Sequence, residues 1–392
     1  MPQHERVSAA VVHGADDRRE YFESDAAARL LMDGAMVALM ARSQLVASTS
    51  GVRVVAPSLA DKAELCADEP FGEQPAGAFC SGVLVDRNLV LTAAHCAHAL
   101  RLDDVAVVSG YHFREPGSLQ LRAGDVHGVK DIVAEQESPA GLRPHFDFAW
   151  LRLDRAVWPP REPVAIRADA TRVRRGDRLL FLGTGGGVPM KSDTGAVVGD
   201  TGEPWRDYLV ADTDTSAGAS GGGAFDEQGV LLAILEGGGT DYALTSEGCK
   251  RAVRRPGDAK SEERLTLAAG ALAGLCARDP AASTLCRPDC GDPCRALAPP
   301  EGSGLGCALA PGRPAIAATG VFVVLLLVLG CSRRRGGQRG PRRKTATGRN
   351  LVAVRCACHR SPGRSRKVQA RGRGASAHPC ESRVLEPKMG ND

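Results

Sequence analysis

The stretch Ala217-Gly218-Ala219-Ser220-Gly221-Gly222-Gly223 holds the residues of this 392-residue chain best suited to do chemistry. Closely spaced glycines let several backbone N–H groups turn toward one point, as a developing oxyanion requires, and a serine among them could act as a nucleophile. A hydroxyl is a weak nucleophile unless a base takes its proton, and the base works best when a third group orients it. Two upstream segments offer those parts. His95 follows an apolar run in Leu89-Val90-Leu91-Thr92-Ala93-Ala94-His95-Cys96, and Asp147 interrupts the apolar Phe146-Asp147-Phe148-Ala149-Trp150-Leu151. A carboxylate in apolar surroundings needs a partner, and a histidine N–H would supply one. Each piece alone also fits a plainer reading: a glycine turn, a surface histidine, a strand-opening aspartate.

The elements that must position these residues read as short strands. Val83-Leu84-Val85 and Leu89-Val90-Leu91 flank the polar Asp86-Arg87-Asn88, a hairpin pattern. This puts His95 on a small-residue turn just after a buried strand. Cys80 and Cys96 fall on adjacent antiparallel strands, close enough for a bridge that fixes the turn. His98 is expected at the surface. After Ser220, the run from Val230 to Leu235 reads as another buried strand, and Trp158-Pro159-Pro160-Arg161-Glu162-Pro163 reads as a joint between two halves. From residue 260 to 277, Leu265, Leu267, Leu272 and Leu275 on an alanine-rich background predict a helix.

Together, Thr92-Ala93-Ala94-His95-Cys96, Asp147-Phe148-Ala149-Trp150 and Gly218-Ala219-Ser220-Gly221-Gly222 resemble the three motif blocks of trypsin-like serine peptidases, in the order His, Asp, Ser, over roughly residues 50–255. The stretches Asp16-Asp17-Arg18-Arg19, Pro189 to Val197 and Asp212 to Ser220 look closest to the bacterial branch that includes glutamyl endopeptidases. The resemblance implies an all-β fold of two six-stranded antiparallel barrels with the active site between them. It implies a serine endopeptidase acting on protein or peptide substrates through an acyl-enzyme, with His95 as base, Asp147 as its orienting acid, Ser220 as nucleophile and the N–H groups of Gly218 and Ser220 as oxyanion hole. Asp214, six residues before Ser220, stands where trypsin-type members bind Arg or Lys side chains. Gly237 and Gly238 would line the same pocket, and Glu236 beside them would favour a basic substrate. Two departures matter. Ala219 replaces the aspartate that pairs with the freed N-terminus in digestive members, and no histidine lies where glutamyl endopeptidases bind a Glu side chain. The alternative function is an inactive homologue that serves as a surface binding module.

Composition divides the chain. Residues 333–392 carry 17 Lys and Arg against 3 Asp and Glu, a charge of +14, so the net +4 hides a body near −10. An acidic body argues against nucleic acid as a partner of the protease domain. Thirteen cysteines suggest an oxidising compartment, although no secretory signal is visible at the N-terminus, a conflict that a start codon assigned too far downstream would resolve. Cys276, Cys286, Cys290 and Cys294 are expected to staple a stalk by disulfides rather than bind zinc. Residues 315–331 carry no charge and precede Arg333-Arg334-Arg335, which predicts a short membrane segment with the protease outside. With Gly306-Cys307, this region resembles the C-terminal sorting signal of myxobacterial surface proteins. The expected order is therefore an N-terminal pro-segment, extension or first-strand material over 1–45, the protease domain over 46–258, and a helix with Cys/Pro/Gly-rich spacer over 259–313. A membrane or sorting segment follows over 314–332, then a basic disordered tail over 333–392 that is either functional or translated read-through. A monomer, extracellular or anchored at the cell surface in the outer membrane, with no metal or organic cofactor, completes the expectation.

Overall fold

The computed structural model describes residues 12–139, 141–159, 161–199, 204–255 and 263–286. The expected membrane segment at 315–331, the basic tail, Cys290 and Cys294 lie outside them. Among the described residues no helix is long and apolar enough to cross a membrane.

Six strands form a closed antiparallel barrel: β1 (Met36–Ala41), β2 (Ala78–Asp86), β3 (Leu89–Thr92), β4 (Val105–Ser109), β5 (Val126–Glu137) and β6 (Asp147–Leu153), in the order β1-β2-β3-β6-β5-β4. The β2–β3 hairpin turns at Asp86-Arg87-Asn88 as its polarity predicts. Both faces of β3 are buried, so it reads as an unbroken apolar run rather than an alternating one. Six more strands form the second sheet: β7 (Arg178–Gly183), β8 (Lys191–Ala196), β9 (Tyr208–Ala211), β10 (Gly223–Phe225), β11 (Leu231–Gly237) and β12 (Glu263–Leu267), in the order β8-β7-β10-β11-β12-β9. This sheet curls until its edges meet at a Val197–Ala211 bridge, reinforced by Val198 N–H to the Val210 carbonyl at 3.0 Å. The mostly β architecture of two six-stranded units agrees with the expected fold class.

Residues before 46 contribute a helix and a barrel strand. Asp25 caps helix α1 (Ala26–Gly34) by accepting the Ala28 N–H at 2.8 Å, and β1 is a full barrel strand buried between β2 and β4. The domain also runs past 258. The expected helix over 260–277 begins as strand β12 and becomes helical only at Ala268, as α4 (Ala268–Arg278), after the short α2 (Leu59–Ala63) and α3 (Ala94–Ala97). Glu263 through Leu267 includes the β-favouring Thr266 and finds pairing on both sides, from β11 and β9, which outweighs a helical leucine spacing. Helix α4 then packs on the first barrel, where the Trp150 indole N–H donates to the Ala271 carbonyl at 2.9 Å.

Three disulfides occur among the described residues. Cys80–Cys96 joins β2 to the His95 turn, with Cα atoms 6.0 Å apart. Cys66–Cys249 ties the segment after α2 to the hairpin beyond β11, across 183 residues of sequence, a pairing that spacing alone does not disclose. Cys276–Cys286 closes the end of α4, as a disulfide rather than a zinc site.

Candidate active site

Strand register brings Asp147 to His95. Thr92 of β3 pairs with Ala149 of β6 in an antiparallel ladder, so two residues beyond Thr92 the chain stands opposite Asp147. There β3 gives way to α3, and the first N–H groups of that turn point at the carboxylate. Asp147 Oδ1 accepts from Ala94 N–H at 2.6 Å and His95 N–H at 3.2 Å, while Oδ2 lies 2.6 Å from His95 Nδ1. Both side chains are mostly buried, 21% exposed for His95 and 13% for Asp147. A carboxylate held by two backbone donors fixes the ring and selects the tautomer with the proton on Nδ1, leaving Nε2 basic. Behind it, Asp147 N–H donates to Thr266 Oγ1 of β12 at 3.1 Å, and Thr266 donates to Glu236 at 2.7 Å. The acid is thus braced by the second sheet, a role for Thr266 that no sequence signal announced.

Ser220 sits on the turn that leads into β10 of the second sheet and meets the first barrel through its backbone. Its carbonyl accepts from Ser81 N–H on β2 at 2.7 Å and lies 3.7 Å from Cys96 Sγ, next to His95 in sequence. Gly221 has φ +79°, and a Cβ there would stand 2.2 Å from the Ser81 carbonyl oxygen, so only glycine lets the loop press this closely on β2. No hydrogen bond joins the Ser220 hydroxyl to His95 among the described residues. Apo catalytic contacts are commonly looser than those of the substrate complex.

The loop also leaves two donors unspent. Ala219 N–H donates to the Ser216 carbonyl at 2.8 Å, Gly221 N–H to Leu235 at 2.7 Å and Gly222 N–H to Ala219 at 2.7 Å. The N–H groups of Gly218 and Ser220 have no such partner among the described residues. Gly218 borders a cleft of about 310 Å³, lined also by Phe79, Gly186, Ala217, Asp241 and Tyr242.

The expected specificity residues separate into two places. Gly237 ends β11 and Gly238 follows it. Glu263 of β12, fully buried, lies against Gly238 and accepts from Thr215 Oγ1 at 2.5 Å; a Cβ on Gly238 would fall 2.2 Å from its Oε1. Glu236, expected beside the pocket, turns the other way. Its carboxylate lies 3.2 Å from His145 Nε2 and 3.3 Å from Arg264 Nη1, and the His145 ring is held above its usual pKa by that hydrogen bond. Asp214 is buried against the N-terminal segment, its Oδ1 accepting from His13 N–H at 2.7 Å and its own N–H donating to Asp193 Oδ2 at 2.7 Å. His98 is exposed and pairs with Glu135 at 2.8 Å, as a surface residue should.

Residues 80–234 match the family model of the trypsin-like peptidase domain. The matched span contains His95, Asp147 and Ser220 and ends within β11, before Gly237, Gly238 and Glu263. Among solved structures, the chain is similar to the Rv3671c protease in its inactive form, at 14% identity and a TM-score of 0.38, over 68% of this chain and 98% of that one. It is also similar to the secreted serine protease VesC from Vibrio cholerae, at 17% identity and a TM-score of 0.37, over 60% of this chain and 44% of VesC. No curated protein matches the sequence.

Proposed function

We propose that the trypsin-like domain is a serine endopeptidase working through an acyl-enzyme. In this reading Ser220 Oγ attacks the scissile carbonyl carbon as His95 Nε2 takes its proton, and the N–H groups of Gly218 and Ser220 receive the oxyanion. Collapse of the tetrahedral intermediate breaks the C–N bond, with His95 returning the proton to the leaving amine. Water, deprotonated by the same imidazole, then hydrolyses the ester and regenerates the serine. The observation that carries the reading is the His95–Asp147 pair at 2.6 Å, with the remaining carboxylate oxygen saturated by two backbone donors. An imidazole so held is prepared to act as a base.

Preference for Arg or Lys at the residue before the cleaved bond rests, in this proposal, on Glu263 rather than Asp214. A carboxylate between Thr215 and Gly238 attracts a cationic side chain and repels a glutamate, which sets the pocket apart from that of glutamyl endopeptidases. Three disulfides support work in an oxidising compartment.

A fluorophosphonate probe should label the full chain once, and Ser220→Ala should abolish labelling. Folded, processed protein that takes no label would overturn the enzyme reading. Cleavage of a peptide library should show Arg and Lys enriched, with the preference lost in Glu263→Gln; enrichment that persists in that variant would remove Glu263 from the pocket.

A further inference from the structure

Three carboxylates converge on the far side of the segment before Ser220. Asp17 comes from the N-terminal segment, Asp193 from β8 and Asp214 from the approach to Ser220, and one oxygen of each lies within 4.8 Å of the other two. Each side chain is anchored by a donor on one oxygen. Asp17 Oδ2 accepts from Thr194 Oγ1 at 3.0 Å, Asp193 Oδ2 from Asp214 N–H at 2.7 Å, and Asp214 Oδ1 from His13 N–H at 2.7 Å. That leaves Asp193 Oδ1 and Asp214 Oδ2 buried with no hydrogen-bond partner, on residues only 3% and 4% exposed. Buried carboxylate oxygens are costly to leave unmatched. The basic group that acts on Asp214 is Arg18, and it is already bidentate on Asp16, at 2.8 and 2.6 Å. Arg18 therefore acts on Asp214 only at a distance, and neither buried oxygen receives a hydrogen bond from it.

We propose that Asp17, Asp193 and Asp214 bind a divalent, oxygen-seeking cation, calcium before others, which fastens the N-terminal segment to the strand and loop that carry Ser220. Oxygens bound to one calcium at about 2.3–2.6 Å stand at most roughly 5 Å apart, so the cluster needs little rearrangement to close on an ion. All the donors are hard oxygens, which favours calcium or magnesium over zinc or copper. Calcium fits better than magnesium because its coordination tolerates irregular carboxylate geometry, while the exposed Asp17 leaves room for water to complete the shell. The competing occupant is a proton. Burial pushes the Asp193 carboxyl well above the usual carboxylate range and that of Asp214 up to about 7. Binding is therefore best measured at alkaline pH, where protons compete least.

The proposal stands apart from the catalytic reading, since binding is measured without substrate. The full chain, stripped with EDTA and held near pH 8, is titrated with calcium by calorimetry while its melting temperature is followed. One ion per chain with a dissociation constant of about 1 mM or lower, and a rise in melting temperature, are expected. Asp193→Asn and Asp17→Asn should each weaken binding tenfold or more. Asp17 is exposed, so its variant keeps the fold and decides the matter if Asp193→Asn does not fold. Absence of both heat and thermal shift up to ~10 mM calcium, or binding undiminished in Asp17→Asn, overturns the site.

Discussion

Asp147 and the Asp193–Asp214 pair are buried carboxylates in one domain, with opposite surroundings. Asp147 meets a histidine ring and two backbone N–H groups, so its charge is matched within the chain. Asp214 N–H donates to Asp193 and His13 N–H to Asp214, yet each carboxylate keeps a buried oxygen that receives no hydrogen bond. A matched carboxylate orients its partner. An unmatched one is a demand on something outside the polypeptide, because a buried charge is retained only where a counter-charge or proton compensates it. His98–Glu135 provides the exposed reference, a histidine and a carboxylate at 2.8 Å in water.

Breaking the matched site should have the largest effect. Asp147→Asn swaps the imidazole tautomer, so kcat should fall on the order of 10⁴-fold with the fold intact, read from peptide hydrolysis and circular dichroism. A loss under tenfold would mean that His95 does not need this acid. Next in size is Glu263→Gln, which should cost basic substrates about 10²-fold in kcat/KM and leave neutral ones nearly unchanged.

The unmatched pair is sharpened by pH. Asp214 is raised from 3.8 to about 7 in the folded chain, chiefly by burial, with Arg18, Asp16, Asp17 and Asp193 around it. Its contribution to stability is therefore present below its unfolded value and is lost as pH rises through about 7. In EDTA, the melting temperature of the protein should fall relative to that of Asp214→Asn between pH 5 and 8; calcium should reverse the decline. A relative rise in EDTA would contradict the burial argument. The smallest effect belongs to the exposed reference: Glu135→Gln should change stability by less than ~0.5 kcal/mol in urea titrations.

Much of the candidate site is legible in the sequence because it sits at places where local patterns change. His95 stands where an apolar run gives way to small residues, Asp147 where a charge breaks one, and Ser220 where glycines gather. The same logic finds the β2–β3 hairpin and Cys80–Cys96, which are close in sequence. It misplaces β12, because leucine spacing mimics a helix while Thr266 and the partners on either side decide for a strand. It also misassigns Glu236, whose direction depends on His145 and Arg264, far away along the chain.

What the sequence determined by itself is therefore the inventory and its local frame: a serine, a histidine and an aspartate, each on a turn or strand end, with the glycines that a tight loop requires. Tertiary structure alone decided which distant groups meet. It turned Glu263 toward Gly238, braced Asp147 through Thr266, bridged Cys66 to Cys249, and gathered Asp17, Asp193 and Asp214 with oxygens unmatched. The physical reason is that backbone preference and apolar periodicity act over a few residues. The compensation of a buried charge depends on whatever the closed fold brings within hydrogen-bond reach.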